Sequence, residues 1–205
     1  VRVQDVTLRN SAYWTQDYEK CNGVIVRGVK VYSHANWNND GLDIDSRNVV
    51  VSDCYIDCDD DALCLKSDTD TPCENVTVTN CVLKSNCNAI KFGTSSYSGF
   101  KNVTISNCTI DRASEDHIRQ WYKNYPWIGT KHKTVVAGIA LESVDGGIIE
   151  NVSISDIAMQ GVQTPIFVRL GDRKRTFSKQ MSRINDVMIS RIIARSEGKI
   201  CLLYT

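Results

Sequence analysis

Five segments of the chain repeat one short pattern, and that repeat limits the fold more than any other feature. They are NVVVSDCYI (48–56), NVTVTNCVL (75–83), NVTISNCTI (102–110), NVSISDIAM (151–159) and DVMISRIIA (186–194). NGVIVRGVKV (22–31) is a sixth, looser copy. Each runs Asn or Asp, then alternating apolar residues, most of them β-branched, then a polar pair, then an apolar residue or Cys. The starts at Asn22, Asn48, Asn75 and Asn102 lie 26, 27 and 27 residues apart. Strict alternation is a strand signal, and capped runs at helical spacing are missing. One strand recurring in the same phase predicts parallel strands stacked on their predecessors. That is a single-stranded parallel β-helix, a solenoid whose coils bury their faces against one another. The expected class is all-β, with residues 1–205 forming one domain.

Each coil carries a second strand. Aligning apolar positions gives GLDID (41–45), ALCLK (62–66), AIKFG (89–93), GIALE (138–142) and PIFVR (165–169). Leu42/Ile44, Leu63/Leu65, Ile90/Phe92 and Ile139/Leu141 should point into the core, and the residues between them outward. Asn80 and Asn107 should stack at a turn and hydrogen-bond from coil to coil. The period lengthens once, to 49 residues between Asn102 and Asn151. The surplus, 112–134, is rich in Trp, Tyr, Lys and His and should overhang the edge that 57–61 occupies at the same turn of an earlier coil. A second insertion, 171–183, carries Arg173, Lys174, Arg175, Lys179 and Arg183 and reads as a solvated charge run.

The composition is 42% hydrophobic and 23% charged with a formal net charge of zero, which excludes disorder, a coiled coil and a polycationic nucleic-acid binder. There is no basic stripe with base-stacking spacing. No apolar run approaches the roughly 20 residues that cross a bilayer. Neither nucleic acid nor membrane is an expected partner. The chain starts at Val1 and ends on the strand-like KICLLYT, so it reads as a fragment of a longer protein whose ends, with any signal segment, lie outside it. The nine cysteines lack zinc-finger spacing, and Cys54, Cys81 and Cys108 recur at intervals of 27, as buried thiols stacked in a core would.

Chemistry concentrates in residues 38–67, NNDGLDIDSRNVVVSDCYIDCDDDALCLKS. Two acidic knots, Asp40/Asp43/Asp45 and Asp59/Asp60/Asp61, precede or open the same kind of strand. In register, Asp40, Asp61 and Asn88 occupy one position in successive coils, with backbones about 5 Å apart. Asp60 adjoins them, though simple alternation would turn it to the opposite face. Stacked carboxylates repel, which raises one pKa and lets the pair hold a proton or a water. Hydrolysis of a glycoside with inversion needs one acid for the leaving oxygen and a base that holds a water across a gap. A cation site or a set of loop caps would use the same residue types.

The run N-x-D-G-x-D (Asn38, Asn39, Asp40, Gly41, Leu42, Asp43), followed by Asp60-Asp61 and an alternating strand, resembles glycoside hydrolase family 28, the polygalacturonases and rhamnogalacturonan hydrolases. The resemblance spans roughly residues 6–169. It implies a right-handed β-helix that cuts pectic polysaccharide with inversion, acting as a monomer, without metal or cofactor, and secreted or periplasmic. It implies that Asp60 is the general acid, that Asp40 and Asp61 position and deprotonate water, and that Asn38 braces Asp40. The family's Gly-His-Gly corresponds here to Cys87-Asn88-Ala89, and its Arg-Ile-Lys to Ala140-Leu141-Glu142. A glutamate there would repel an acidic sugar, so an atypical substrate subsite is expected. Lys66, in register with Asp45 and Glu142, and Lys91, in register with Asp43, are either substrate ligands or partners of those acids in a surface ladder; Arg169 is a third cation. Trp121, Tyr122, Tyr125 and Trp127 could stack on sugars or pack their loop, and His117 could stand in for the missing histidine. The alternatives are a calcium-dependent polysaccharide lyase using Asp40, Asp43 and Asp59–Asp61 as ligands, and a non-catalytic carbohydrate-binding β-helix.

Overall fold

The computed structural model describes residues 1–115, 135–174 and 180–196, and the backbone of 201–204. The described residues form strands and no helix. In chain order these are β1 (Arg2–Gln4), β2 (Thr7–Arg9), β3 (Asp17–Arg27), β4 (Lys30–Ser33), β5 (Leu42–Ser52), β6 (Tyr55–Cys58), β7 (Leu63–Ser67) and β8 (Cys73–Thr79). They continue as β9 (Val82–Ser85), β10 (Asn88–Ser96), β11 (Phe100–Arg112), β12 (Val135–Ser143), β13 (Ile148–Leu170), β14 (Arg183–Ser196) and β15 (Cys201–Tyr204). Among the described residues no helix is long and apolar enough to cross a membrane.

The pairing is parallel, and it follows the repeat. Val49 pairs with Val76, Val76 with Val103, Val103 with Val152, and Val152 with Val187. The second strands align as their apolar residues predict: Leu42 with Leu63, Leu63 with Ile90, Ile90 with Ile139, and Ile139 with Ile166. The hydrogen-bonded path also closes on itself through seven strands, β5, β7, β10, β12, β13, β11 and β8, as in a barrel, which the expected stack of separate strands does not do. The physical reason is that β5 and β13 run around a corner. Leu42–Ile44 pair with β7 and Arg47–Ser52 with β8. Likewise β13 pairs with β11 before the corner and with β12 after it.

Those corners explain the polar positions of the repeat. Asn48, Asn75, Asn102, Asn151 and Asp186 have φ between 51° and 56°, and the second corner, at Asp53, Asn80, Asn107, Asp156 and Arg191, lies between 51° and 59°. Asn and Asp tolerate this left-handed region better than other L-residues. The stacked amide ladder exists, but it belongs to the leading Asn. Asn48, Asn75, Asn102 and Asn151 each donate to the amide oxygen one coil earlier at 2.7–3.0 Å, beginning at Asn22. The expected ladder at Asn80 and Asn107 is replaced by longer contacts to Asp53 (3.4 Å) and to the Thr79 hydroxyl (3.5 Å).

Inside, the alternating residues of both strand sets are buried, including Leu42, Ile44, Leu63, Leu65, Ile90, Phe92, Ile139 and Leu141. Each such side chain contributes about 1.5–3 kcal/mol relative to exposure. Cys54, Cys81 and Cys108 are buried free thiols, as expected. The 171–183 insertion departs from a solvated run. Arg173 Nε donates to Asp145 Oδ1 at 2.7 Å, its other arm contacts Asp145 Oδ2 and the Thr94 carbonyl, and Asp145 is fully buried. Arg175 and Lys179 lie outside the described residues.

The corner chemistry predicts that Asn75→Ala lowers unfolding free energy by about 1–2 kcal/mol through strain in the left-handed region. Asn75→Gly loses the same ladder contact but adopts that φ freely, so it should cost less. Urea denaturation of the two variants measures the difference.

Candidate active site

Gly41 sets the position of Asp40. A Cβ on Gly41 would meet Ile56 Cγ2 at 2.2 Å and the Ala62 carbonyl oxygen at 2.8 Å, so only glycine lets this coil lie so close to the next. Its N–H donates to the Asp61 carbonyl (2.8 Å), and the Ala62 N–H donates to the Asn88 carbonyl (2.9 Å). Asp40, Asp61 and Asn88 therefore stand in one column across three coils, as the alignment requires. All three are buried to within 8% exposure, so the two carboxyl groups interact through little water.

The acidic turn is held from several sides. The Asp60 N–H donates to the Asn39 side-chain oxygen (3.1 Å), and the Asp61 N–H donates to Asp60 Oδ1 (2.9 Å). Ser85 hydroxyl donates to the Asp60 carbonyl at 2.6 Å. Asp60 thus curls back onto the same turn as Asp61 instead of leaving by the opposite face. One oxygen of Asp60, one of Asp61 and the Cys87 Sγ lie within 4.8 Å of one another. Asn38, expected to brace Asp40, is exposed with φ 50°. The neighbouring Asn39 is the buried amide, and it braces Asp60.

Both lysines turn into the acid cluster. Lys91 Nζ donates to Asp61 Oδ2 at 2.7 Å, while the Asn88 backbone N–H and side-chain amide donate to Asp61 Oδ1 at 3.0 and 2.7 Å. Lys66 Nζ lies 3.4 Å from Asp40 Oδ2 and 3.1 Å from Asp43 Oδ1. The surface ladder expected from register, Lys66 with Asp45 or Glu142 and Lys91 with Asp43, does not form. A four-carbon side chain spans more than one coil, so register alone does not choose its partner. Asp43 and Asp45, expected to face outward, are buried. Asp43 is covered by Lys66, and Asp45 accepts from the N–H groups of Asp68 and Thr69 and from the Thr69 hydroxyl at 2.9–3.2 Å.

These contacts split the proton affinities of the stacked pair. Burial raises Asp40 above the ordinary carboxylate range, and the adjacent Asp61 charge adds to it against the pull of Lys66. Burial would raise Asp61 as well, but the Lys91 ammonium and the hydrogen bonds converging on it bring it below the ordinary value. The stacked pair is thus uneven, with Asp61 releasing its proton more readily than Asp40. Asp43 is raised further still, chiefly by burial and then by Asp40. Burial also raises Glu142, which lies near Lys91 and 3.8 Å from Arg169.

Residues that the sequence reading passed over complete the surroundings. His34 Nε2 lies 2.9 Å from Asp57 Oδ1, which also accepts from the Ser114 N–H at 2.9 Å. Asn86 donates to Asp59 at 2.8 Å and to the Glu115 carbonyl at 2.6 Å. The first residues of the 112–134 insertion thus pack over the expected edge; His117, Trp121, Tyr122, Tyr125 and Trp127 lie outside the described residues. Asp40, Asp43 and Cys64 form a second group with ligand atoms within 4.8 Å. Neither group suits calcium, because each mixes a soft sulfur with carboxylates and already has an ammonium against it.

A family model for glycosyl hydrolases family 28 matches residues 1–203. Among solved structures, a polygalacturonase from Erwinia carotovora ssp. carotovora superposes with a TM-score of 0.73 at 14% identity. The match covers 100% of this chain and 55% of that one, so the chain spans about half its length. No curated protein sequence matches.

The Lys91–Asp61 pair yields a test by pH. Lys91 is what lowers Asp61, so Lys91→Gln should let its pKa rise. The acid limb of any kcat/KM profile that needs Asp61 ionised then moves to higher pH. An unchanged limb would show that Asp61 is not the titrating group.

Proposed function

The chain belongs to glycosyl hydrolases family 28, and we propose that it is a polygalacturonase-like enzyme hydrolysing pectic polysaccharide with inversion. In this reading the strands are coils of a right-handed parallel β-helix, and the chain is the catalytic part of a longer, secreted or periplasmic protein that works without metal or cofactor. Asp60 protonates the leaving oxygen, and Asp40 and Asp61 hold the attacking water and take its proton. Asn88 holds Asp61 in place, and Asn38 lines the approach.

The observation that carries the proposal is the buried convergence of Asp40, Asp60 and Asp61 from two coils, with Asp61 kept anionic by Lys91 at 2.7 Å. Lys66 and Lys91 serve mainly to set the charge of these acids. Each is engaged with a carboxylate, so neither is free to read an acidic sugar. With Glu142 where the family has a lysine, the adjoining subsite takes an uncharged unit, which points to rhamnogalacturonan-type substrates over plain polygalacturonate.

Asp60→Asn should reduce the release of reducing ends by about 10²–10⁴-fold, the range one general acid supplies, with unchanged circular dichroism. Activity at the wild-type level in that variant would remove Asp60 from the acid role. Release of unsaturated, ultraviolet-absorbing products in place of new reducing ends would indicate a lyase.

A further inference from the structure

The column that contains Asp40, Asp61 and Asn88 begins one coil earlier, with an aromatic residue. The Thr15 N–H donates to the Asp40 carbonyl at 2.8 Å, the same contact that Gly41 makes to Asp61 and Ala62 makes to Asn88. Asp17 pairs with Asp43, which gives the same register. Trp14 is therefore the counterpart of Asp40 on the preceding coil, about one strand spacing of 4.8 Å away. Its ring lies beside the site's own cation, with Lys66 Nζ 3.8 Å from its centroid. Tyr13 stands against it at 4.8 Å between centroids with the rings tilted by 42°, and both rings are exposed, Tyr13 by 51% and Trp14 by 37%.

This segment is fixed, not a loose loop. The Ser11 hydroxyl contacts those of Thr15 (2.9 Å) and Ser33 (3.0 Å), and the Asn36 amide donates to the Ser11 carbonyl at 2.8 Å. On the far side of Trp14, the Gln16 carbonyl accepts from the Asp43 N–H at 2.9 Å, and its amide donates to the Gly41 carbonyl at 3.2 Å. Two exposed aromatic rings thus sit on a hydrogen-bonded segment at the end of a row of acids. A flat, partly apolar wall beside buried carboxyl groups matches the apolar face of a pyranose, whose hydroxyls would point back to the acids and amides. The carboxylates of Asp17, Asp40 and Asp43 around Lys66 would repel a charged unit.

We propose that Tyr13 and Trp14 form a sugar-binding subsite adjoining Asp40, which stacks on an uncharged pyranose unit of the polysaccharide. The proposal rests on the glycosidase reading. It adds a binding position on the side of Asp40 away from Asn88, and makes Lys66 the link between that position and the acids. The test uses oligosaccharides of alternating galacturonic acid and rhamnose, with hydrolysis followed by wild-type enzyme and binding followed by calorimetry on Asp60→Asn protein. Trp14→Ala should raise KM by about tenfold, near the upper end of what one aromatic contact contributes, with a matching loss of affinity in the Asp60→Asn background. Tyr13→Ala, at a more exposed position, should raise KM by about threefold, and Trp14→Phe should restore most of the loss. An active wild-type enzyme whose KM does not change in Trp14→Ala or Tyr13→Ala overturns the subsite alone. A loss confined to kcat overturns it too, because Trp14 would then act only by supporting Lys66. Wild-type protein that neither hydrolyses nor binds the oligosaccharides overturns the subsite together with the glycosidase reading.

Discussion

Parallel hydrogen bonding from each coil to the next, held in one phase by left-handed corners, is the constraint on which everything else rests. With Asn, Asp or, once, Arg at positive φ at the first and sixth positions of each repeat, the stretch between the two corners has only one length. Fixed length fixes phase, and fixed phase stacks like residues on like. The interior then becomes rows of Val, Ile, Leu, Phe and Cys, and the exterior becomes columns of whatever the sequence supplies. In such a fold a site is a column. Three residues twenty or more positions apart become neighbours without any loop having to fold around them.

That is why so much was legible in advance. The period, the two strand sets, their register and the column Asp40–Asp61–Asn88 all follow from spacing and from the two-residue alternation of strands. What was not legible depends on side-chain reach and on cover. Lys66 could turn toward Asp45 in its own row or toward Asp40 and Asp43 across rows; it takes the latter, while Asp45 already accepts from Asp68 and Thr69. Asp45 reads as an outward residue in any strand alignment, and it is buried only because the turn after β7 folds Thr69 onto it. His34 with Asp57, and Arg173 with Asp145, join residues 23 and 28 apart that carry no shared pattern. The corner Asn ladder was misplaced by one corner. Both corners carry Asn, and only the geometry distinguishes the one whose amides face each other at 2.7–3.0 Å.

The electrostatics of the site follow from the same stacking. Two carboxylates in adjacent coils cannot both ionise cheaply in a buried place, and the chain resolves the conflict with unequal partners. Asp61 receives Lys91 and two donors from Asn88; Asp40 receives a more distant Lys66 that it shares with Asp43. The pair is therefore asymmetric by construction, with Asp61 lowered and Asp40 raised. Asn88, where the family carries histidine, fits this arrangement. It donates to Asp61 at every pH, whereas a histidine would add a titrating group to a cluster that already contains two lysines.

The same asymmetry bears on how the site would meet a charged ligand. Lys91 lies near both Asp61 and Glu142, so one ammonium offsets two carboxylates. Arg169 is directed to Glu142 at 3.8 Å, Arg173 to Asp145, and Lys66 to Asp40 and Asp43. Every one of these cations is engaged with an acid of the protein itself. A substrate carboxylate would have to compete for them against buried internal anions, and the partner it displaced would be left charged in a place that water hardly reaches. Glu142 adds one more internal acid to this set, facing Lys91 and Arg169. On the proposed reading, recognition would rest on shape more than on charge, with the exposed rings of Tyr13 and Trp14 at the end of the acid column as its flat apolar surface.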